Sequence, residues 1–132
     1  MTHARPATPR RRHLCLALAA AIVFLLFYLG AQPFAAGLIP APWDKLAHFV
    51  VFATIAGLLA IGIAGKHPAL PIAMAGAIGA IDEWHQTVLP GRSANIADLL
   101  TDVSAAVLAV MIYEYLRARQ AAAAATSCTR GS

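Results

Sequence analysis

Apolar residues run along this chain in long uncharged blocks, and the polar positions between them are few and clustered. No Asp, Glu, Lys or Arg occurs from Leu14 to Trp43, from Leu46 to Gly65, from Ala69 to Ile81 or from Val103 to Tyr113. Blocks of this length predict helices at about 14–32, 45–64, 69–87 and 95–116. The second, at 1.5 Å per residue, is roughly 30 Å long, the thickness of a hydrocarbon core. Pro33, Pro40 and Pro42 predict an extended loop after the first helix, and Asp44 is placed to cap the second. Gly65-Lys66-His67-Pro68 predicts a tight turn. Only 13 residues separate Pro68 from Asp82, about 20 Å of helix and too short to span. To cross, the third helix has to continue through Asp82, Glu83 and Gln86. The expected architecture is an all-α integral membrane protein, four transmembrane helices in a compact bundle with both termini cytoplasmic. Its parts are a basic segment 1–13, a membrane domain 14–116 and a disordered cytoplasmic tail 117–132.

Composition supports lipid as the solvent. The 132 residues are 60% hydrophobic and 12% charged, with a mean hydropathy of +0.69; soluble domains carry about 25% charged residues. The net charge of +4 raises nucleic acid as a partner, but the basic residues form no stripe among aromatics, so none is expected. They fit the positive-inside rule instead. With the N-terminus inside, Arg5, Arg10, Arg11, Arg12, Lys66, Arg117, Arg119 and Arg130 are cytoplasmic, against Lys45 and Arg92 outside. A basic segment before an apolar run also describes a signal peptide, and Gly30-Ala31-Gln32 resembles a cleavage site. The uncharged stretch is longer than a signal needs, which favours a retained span. Cys15 and Cys128 lie in different segments and suggest neither a disulfide nor a metal motif.

The chemistry is concentrated in residues 82–102, which hold Asp82, Glu83, Asp98 and Asp102, four of the six acidic residues. A carboxylate at mid-bilayer depth costs about 3 kcal/mol on insertion scales. The topology brings three pieces of sequence to one depth. Asp44 and His48 share a face of the second helix, Asp82 and Gln86 a face of the third, and Asn95, Asp98 and Asp102 a face of the fourth. Leu89-Pro90-Gly91-Arg92 has proline and glycine where a type II turn favours them, returning Arg92 over the cluster. Five carboxylates against Lys45, Arg92 and two histidines require pairing, protonation or a cation.

Asp44-Lys45-x-x-His48-Phe49, Asp82-Glu83-x-x-Gln86 and Pro90-Gly91-Arg92-Ser93 with Asp98 and Asp102 resemble the VanZ-like family of bacterial membrane proteins. The resemblance covers about residues 43–112. It implies a small multipass protein of the bacterial cytoplasmic membrane; the charge bias above puts the polar site on the extracytoplasmic side. The family's namesake is associated with tolerance of teicoplanin. The polar positions carried over are Asp44, Lys45, His48, Asp82, Glu83, Gln86, Arg92, Asp98 and Asp102. Family members commonly have glycine where this chain has Ala105.

These residues support several roles. Neither His48 nor His85 has the spacing of a metal motif, so a hydrogen-bonded structural histidine is the commoner role and no metal or cofactor is expected. Arg92 suits an anionic ligand and, equally, an internal ion pair with Asp98 or Asp82. Glu83 and His85 are expected to point away from Asp82. The leading expectation is a binding or protective protein contacting an envelope lipid or a glycopeptide. The alternatives are an enzyme acting on a lipid-linked substrate with Asp82 or Asp102 as general base, and a structural role in which the cluster locks the helices. Conduction fits less well, because no polar path continues through the inner half of helices 2 and 3.

Overall fold

The computed structural model describes residues 8–63 and 67–129. Among them are four helices, α1 (Pro9–Gly30), α2 (Trp43–Ile63), α3 (Ala69–Thr87) and α4 (Ile96–Thr129), one 3-10 turn at Pro33–Ala35, and no strand. Arg5, Lys66 and Arg130 of the expected charge pattern lie outside the described residues, as does the side chain of Cys128.

Local chemistry accounts for where the helices begin. α1 starts five residues before the apolar pattern suggests. Thr8 Oγ1 accepts a hydrogen bond from the Arg11 N–H, and Pro9 supplies the fixed φ of a first helical residue. The arginines Arg10–Arg12 are therefore helical, and Arg12 Nε donates to the Gly62 carbonyl across the bundle at 3.0 Å. α2 begins at Trp43, so Asp44 is not its cap but sits in the first turn, where the helix dipole favours a carboxylate. α3 ends where expected, and the turn after it has the expected geometry. The Arg92 N–H bonds to the Leu89 carbonyl, and Gly91 has φ +74°, the left-handed conformation that type II turns need at that position. α4 runs 34 residues rather than ending near Leu116, because the alanine run at 121–125 has the highest helix propensity of any residue type.

α1, α2 and α4 are each long and apolar enough to cross a membrane. α3 is not one of these three; its last turns carry Asp82, Glu83, His85 and Gln86. α2 packs against each of the other helices, most extensively against α4. Phe52, Ala56 and Ala60, four residues apart on α2, meet Ala75 of α3 and Ala105, Ala106 and Val110 of α4 in the main core. Ile55 and Leu59, on the adjoining face of α2, pack with Ala19 of α1. Five of these seven main-core residues are alanines, drawn from α2, α3 and α4, which lets the backbones approach closely. Ala105 is fully buried there. Outward, Leu14, Phe24, Tyr28, Trp43, Met111 and Tyr115 remain exposed. Exposed apolar side chains all around a bundle are expected where the solvent is lipid. The fold is that of a multipass membrane protein.

Candidate functional site

The end of the bundle formed by the start of α2, the end of α3 and the start of α4 holds all nine polar residues picked out by the sequence. Asp82, Glu83, Gln86, Asp98 and Asp102 are buried there. Their partners come from different helices. Lys45 Nζ on α2 lies 2.5 Å from Asp98 Oδ1 on α4 and 3.5 Å from Asp44 Oδ2. One turn further along α2, His48 Nδ1 lies 3.0 Å from Asp102 Oδ1, and Asp102 is 0% exposed. His48 also stacks its ring on Phe52. On α3, Gln86 Nε2 donates to Asp82 Oδ2 at 2.8 Å, the i, i+4 pair expected on one helix face.

Two contacts differ from the sequence reading. Glu83 does not point away from the cluster. It is 6% exposed, and its Oε2 accepts a hydrogen bond from the Asn95 backbone N–H. Asn95 in turn caps α4, its Oδ1 accepting from the Ala97 N–H at 3.0 Å. The returning loop thus presents an amide that needs an acceptor, and Glu83 is the residue beneath it. Arg92 does not pair with Asp98 or Asp82. Its Nη1 donates to the Gly30 carbonyl at 3.1 Å, tying the α3–α4 loop to the end of α1. Asp98 is taken by Lys45, the cation one helix nearer. His85, by contrast, does leave the cluster and packs its ring against Phe27 of α1.

One contributor has no signal in the sequence. A Cβ on Gly79 would lie 2.9 Å from Asp102 Oδ2 and 3.3 Å from Asp102 Cβ. Gly79 lies three residues before Asp82, on the same face of α3, and its missing side chain is what admits Asp102 between the helices.

A cavity of about 580 Å³, the size of small-molecule sites, opens beside the cluster. One part of its wall is apolar: Leu25, Leu26 and Leu29 of α1, with Phe34, Leu38 and Ile39 of the connecting loop. The other part is polar: Asp44, His48, Gln86, Arg92, Ser93, Asn95 and Asp98. Asp82, Glu83 and Asp102 do not line it; His48 and Gln86, which bond to Asp102 and Asp82, do. Behind that wall, one donor atom from each of His48, Asp82 and Glu83 lies within 4.8 Å of the others.

An apolar helical bundle with five acidic or amide side chains buried at one end defines a small multipass membrane protein with an internal polar site. The chain belongs to the VanZ/LLP1 family, which it matches over residues 13–117. No curated protein and no solved structure matches it.

Proposed function

We propose that this protein binds an amphiphilic lipid of the bacterial cell envelope in the cavity between α1 and the polar cluster. The supporting observation is the division of the cavity wall into an apolar side from α1 and its loop and a polar side that includes Arg92. Among the described residues Arg92 forms no ion pair. Its guanidinium suits a phosphate or carboxylate head group, while Leu25, Leu29, Phe34 and Leu38 suit a hydrocarbon chain. Four spans are completed when α3 crosses with its polar end at the interface. The described cations Arg10, Arg11, Arg12, Arg117 and Arg119 lie at the bundle end opposite Lys45 and Arg92, which supports a cytoplasmic N-terminus and an extracytoplasmic site in the inner membrane. On that face the ligand is a lipid-linked envelope intermediate or the acyl chain of a lipoglycopeptide, and teicoplanin tolerance is the cellular consequence.

The test is lipid analysis of protein purified in mild detergent. An anionic lipid enriched over bulk membrane, and lost in Arg92→Gln with the fold intact, is the expected result. Lipid content equal to the bulk membrane in both proteins would refute the proposal. A second reading is favoured by one contact: His48 lines the cavity and is held from behind by buried Asp102, an arrangement suited to a general base. In that enzyme His48 touches the substrate, and Asp102 positions it. Conversion of a lipid-linked substrate by the wild type but not by His48→Gln would favour this reading over binding alone.

A further inference from the structure

Three buried carboxylates in the polar cluster have no lysine or arginine partner among the described residues. Lys45 is engaged by Asp98 and Asp44. That leaves Asp82, Glu83 and Asp102, at 4%, 6% and 0% exposure, facing His48 alone. Each of the three already accepts a hydrogen bond on one oxygen, from Gln86, Asn95 and His48 respectively. The second oxygens of Glu83 and Asp102 are buried and have no partner. The Asp102 oxygen lies against Gly79, whereas Glu83 belongs to a group with Asp82 and His48, where a cation would give its free oxygen a partner.

We propose that His48, Asp82 and Glu83 bind a single divalent transition-metal cation of the zinc or manganese class. The donor set, one imidazole and two carboxylates, suits these ions rather than calcium or magnesium, which prefer oxygen alone. With Asp102 ionised, the 3.0 Å contact requires the proton on His48 Nδ1, which leaves Nε2 with its lone pair free. A carboxylate holding the far nitrogen of a metal-bound histidine is the usual outer-shell arrangement. Gln86 and the Asn95 N–H hold Asp82 and Glu83 in the same manner, so each ligand has a fixed back and a free front. Donor atoms around a tetrahedral ion with bonds of about 2.1 Å stand roughly 3.4 Å apart. Side chains now within 4.8 Å of one another therefore close inward on the ion. Three protein ligands leave at least one coordination position open. A metal on Nε2 also occupies the lone pair a general base needs, so the site excludes that use of His48.

The experiment uses full-length protein purified in detergent without a polyhistidine tag and stripped with chelator. Zn²⁺, Mn²⁺ and spectroscopically visible Co²⁺ are titrated in, with Mg²⁺ as a control. One equivalent of Zn²⁺ or Mn²⁺ per chain is expected, with Co²⁺ absorption typical of mixed nitrogen and oxygen ligands. Glu83→Gln and Asp82→Asn abolish saturable binding. Gln86→Met, which removes only an outer support, weakens it by about 10–100-fold. Glu114→Gln, far along α4 from the cluster, retains the full equivalent. Should the ligand variants fail to fold, the wild type decides: its thermal stability rises with Zn²⁺ or Mn²⁺ and falls again with chelator. Absence of a stoichiometric equivalent, thermal stability indifferent to metal, or binding unchanged in folded Glu83→Gln would each overturn the assignment. Lipid content is measured in parallel, so failure of metal binding and failure of lipid binding are told apart.

Discussion

Two glycine-to-alanine substitutions isolate the steric term that holds the site together. A Cβ on Gly79 would meet Asp102 Oδ2 at 2.9 Å, Asp102 Cβ at 3.3 Å and Leu99 Cδ1 at 3.4 Å, whereas a Cβ on Gly57 meets nothing within 4 Å. Both positions are helical, so the propensity gain of alanine, about 1 kcal/mol, enters both variants and cancels in their difference. What remains is overpacking at 79. Asp102 has little room to yield, because it is fully buried and bonded to His48. Forcing one extra methyl into such a site costs about 1–3 kcal/mol. Gly79→Ala should therefore unfold more easily than Gly57→Ala by that amount, with Gly57→Ala at or above wild type. The assay is reversible unfolding in mixed detergent micelles, followed by helical circular dichroism. Equal stability of the two variants would show that α3 and α4 do not approach each other through Gly79, and the placement of Asp102 would have to be revised.

Further outcomes follow from the same contacts. Asp102→Leu strands His48 without its partner and should cost about 3 kcal/mol in the same assay, as breaking a buried pair does. Asp82→Asn, measured in chelator, should leave stability unchanged or raise it, since it removes one of three closely placed negative charges; a large drop would show that the bundle needs that charge. Gly91→Ala should lose about 1–2 kcal/mol, because φ +74° is strained for any residue with a Cβ; stability equal to wild type would argue against the left-handed turn. Phe52→Ala, at the centre of the core, should cost about 3 kcal/mol, read from its unfolding midpoint.

Much of this was legible because lipid imposes a coarse grammar. Uncharged blocks located all four helices, α2 and α3 to within a few residues at both ends, and the i, i+4 spacings of Asp44 with His48 and of Asp82 with Gln86 placed those residues at one end. The turn at Leu89–Arg92 was legible because proline and glycine each restrict the backbone in a known direction. Partner choice was not legible. Lys45 and Arg92 are chemically similar, and only the packing of α2 against α4 decides that Lys45 reaches Asp98. Glu83 was misplaced because helical phase puts it about 100° from Asp82, and the loop that folds back over it has no periodicity to read. Gly79 looked like any other small residue in an apolar helix. The metal-type convergence of His48, Asp82 and Glu83 spans two helices, so no single motif records it. The lengths of α1 and α4 were underestimated because hydrophobicity reports where a helix meets lipid, not where hydrogen bonding stops.

Asn95 joins two tasks in one residue: its side chain caps α4 through the Ala97 N–H, and its own N–H is held by Glu83. The first turn of α4 and the carboxylate of Glu83 are therefore mechanically one unit. Any event that draws Glu83 toward or away from Asn95 tightens or frays the start of a 34-residue helix. Hydrogen–deuterium exchange at the Asn95 and Ala97 amides then becomes a local gauge of what happens inside the cluster, readable without knowing the ligand.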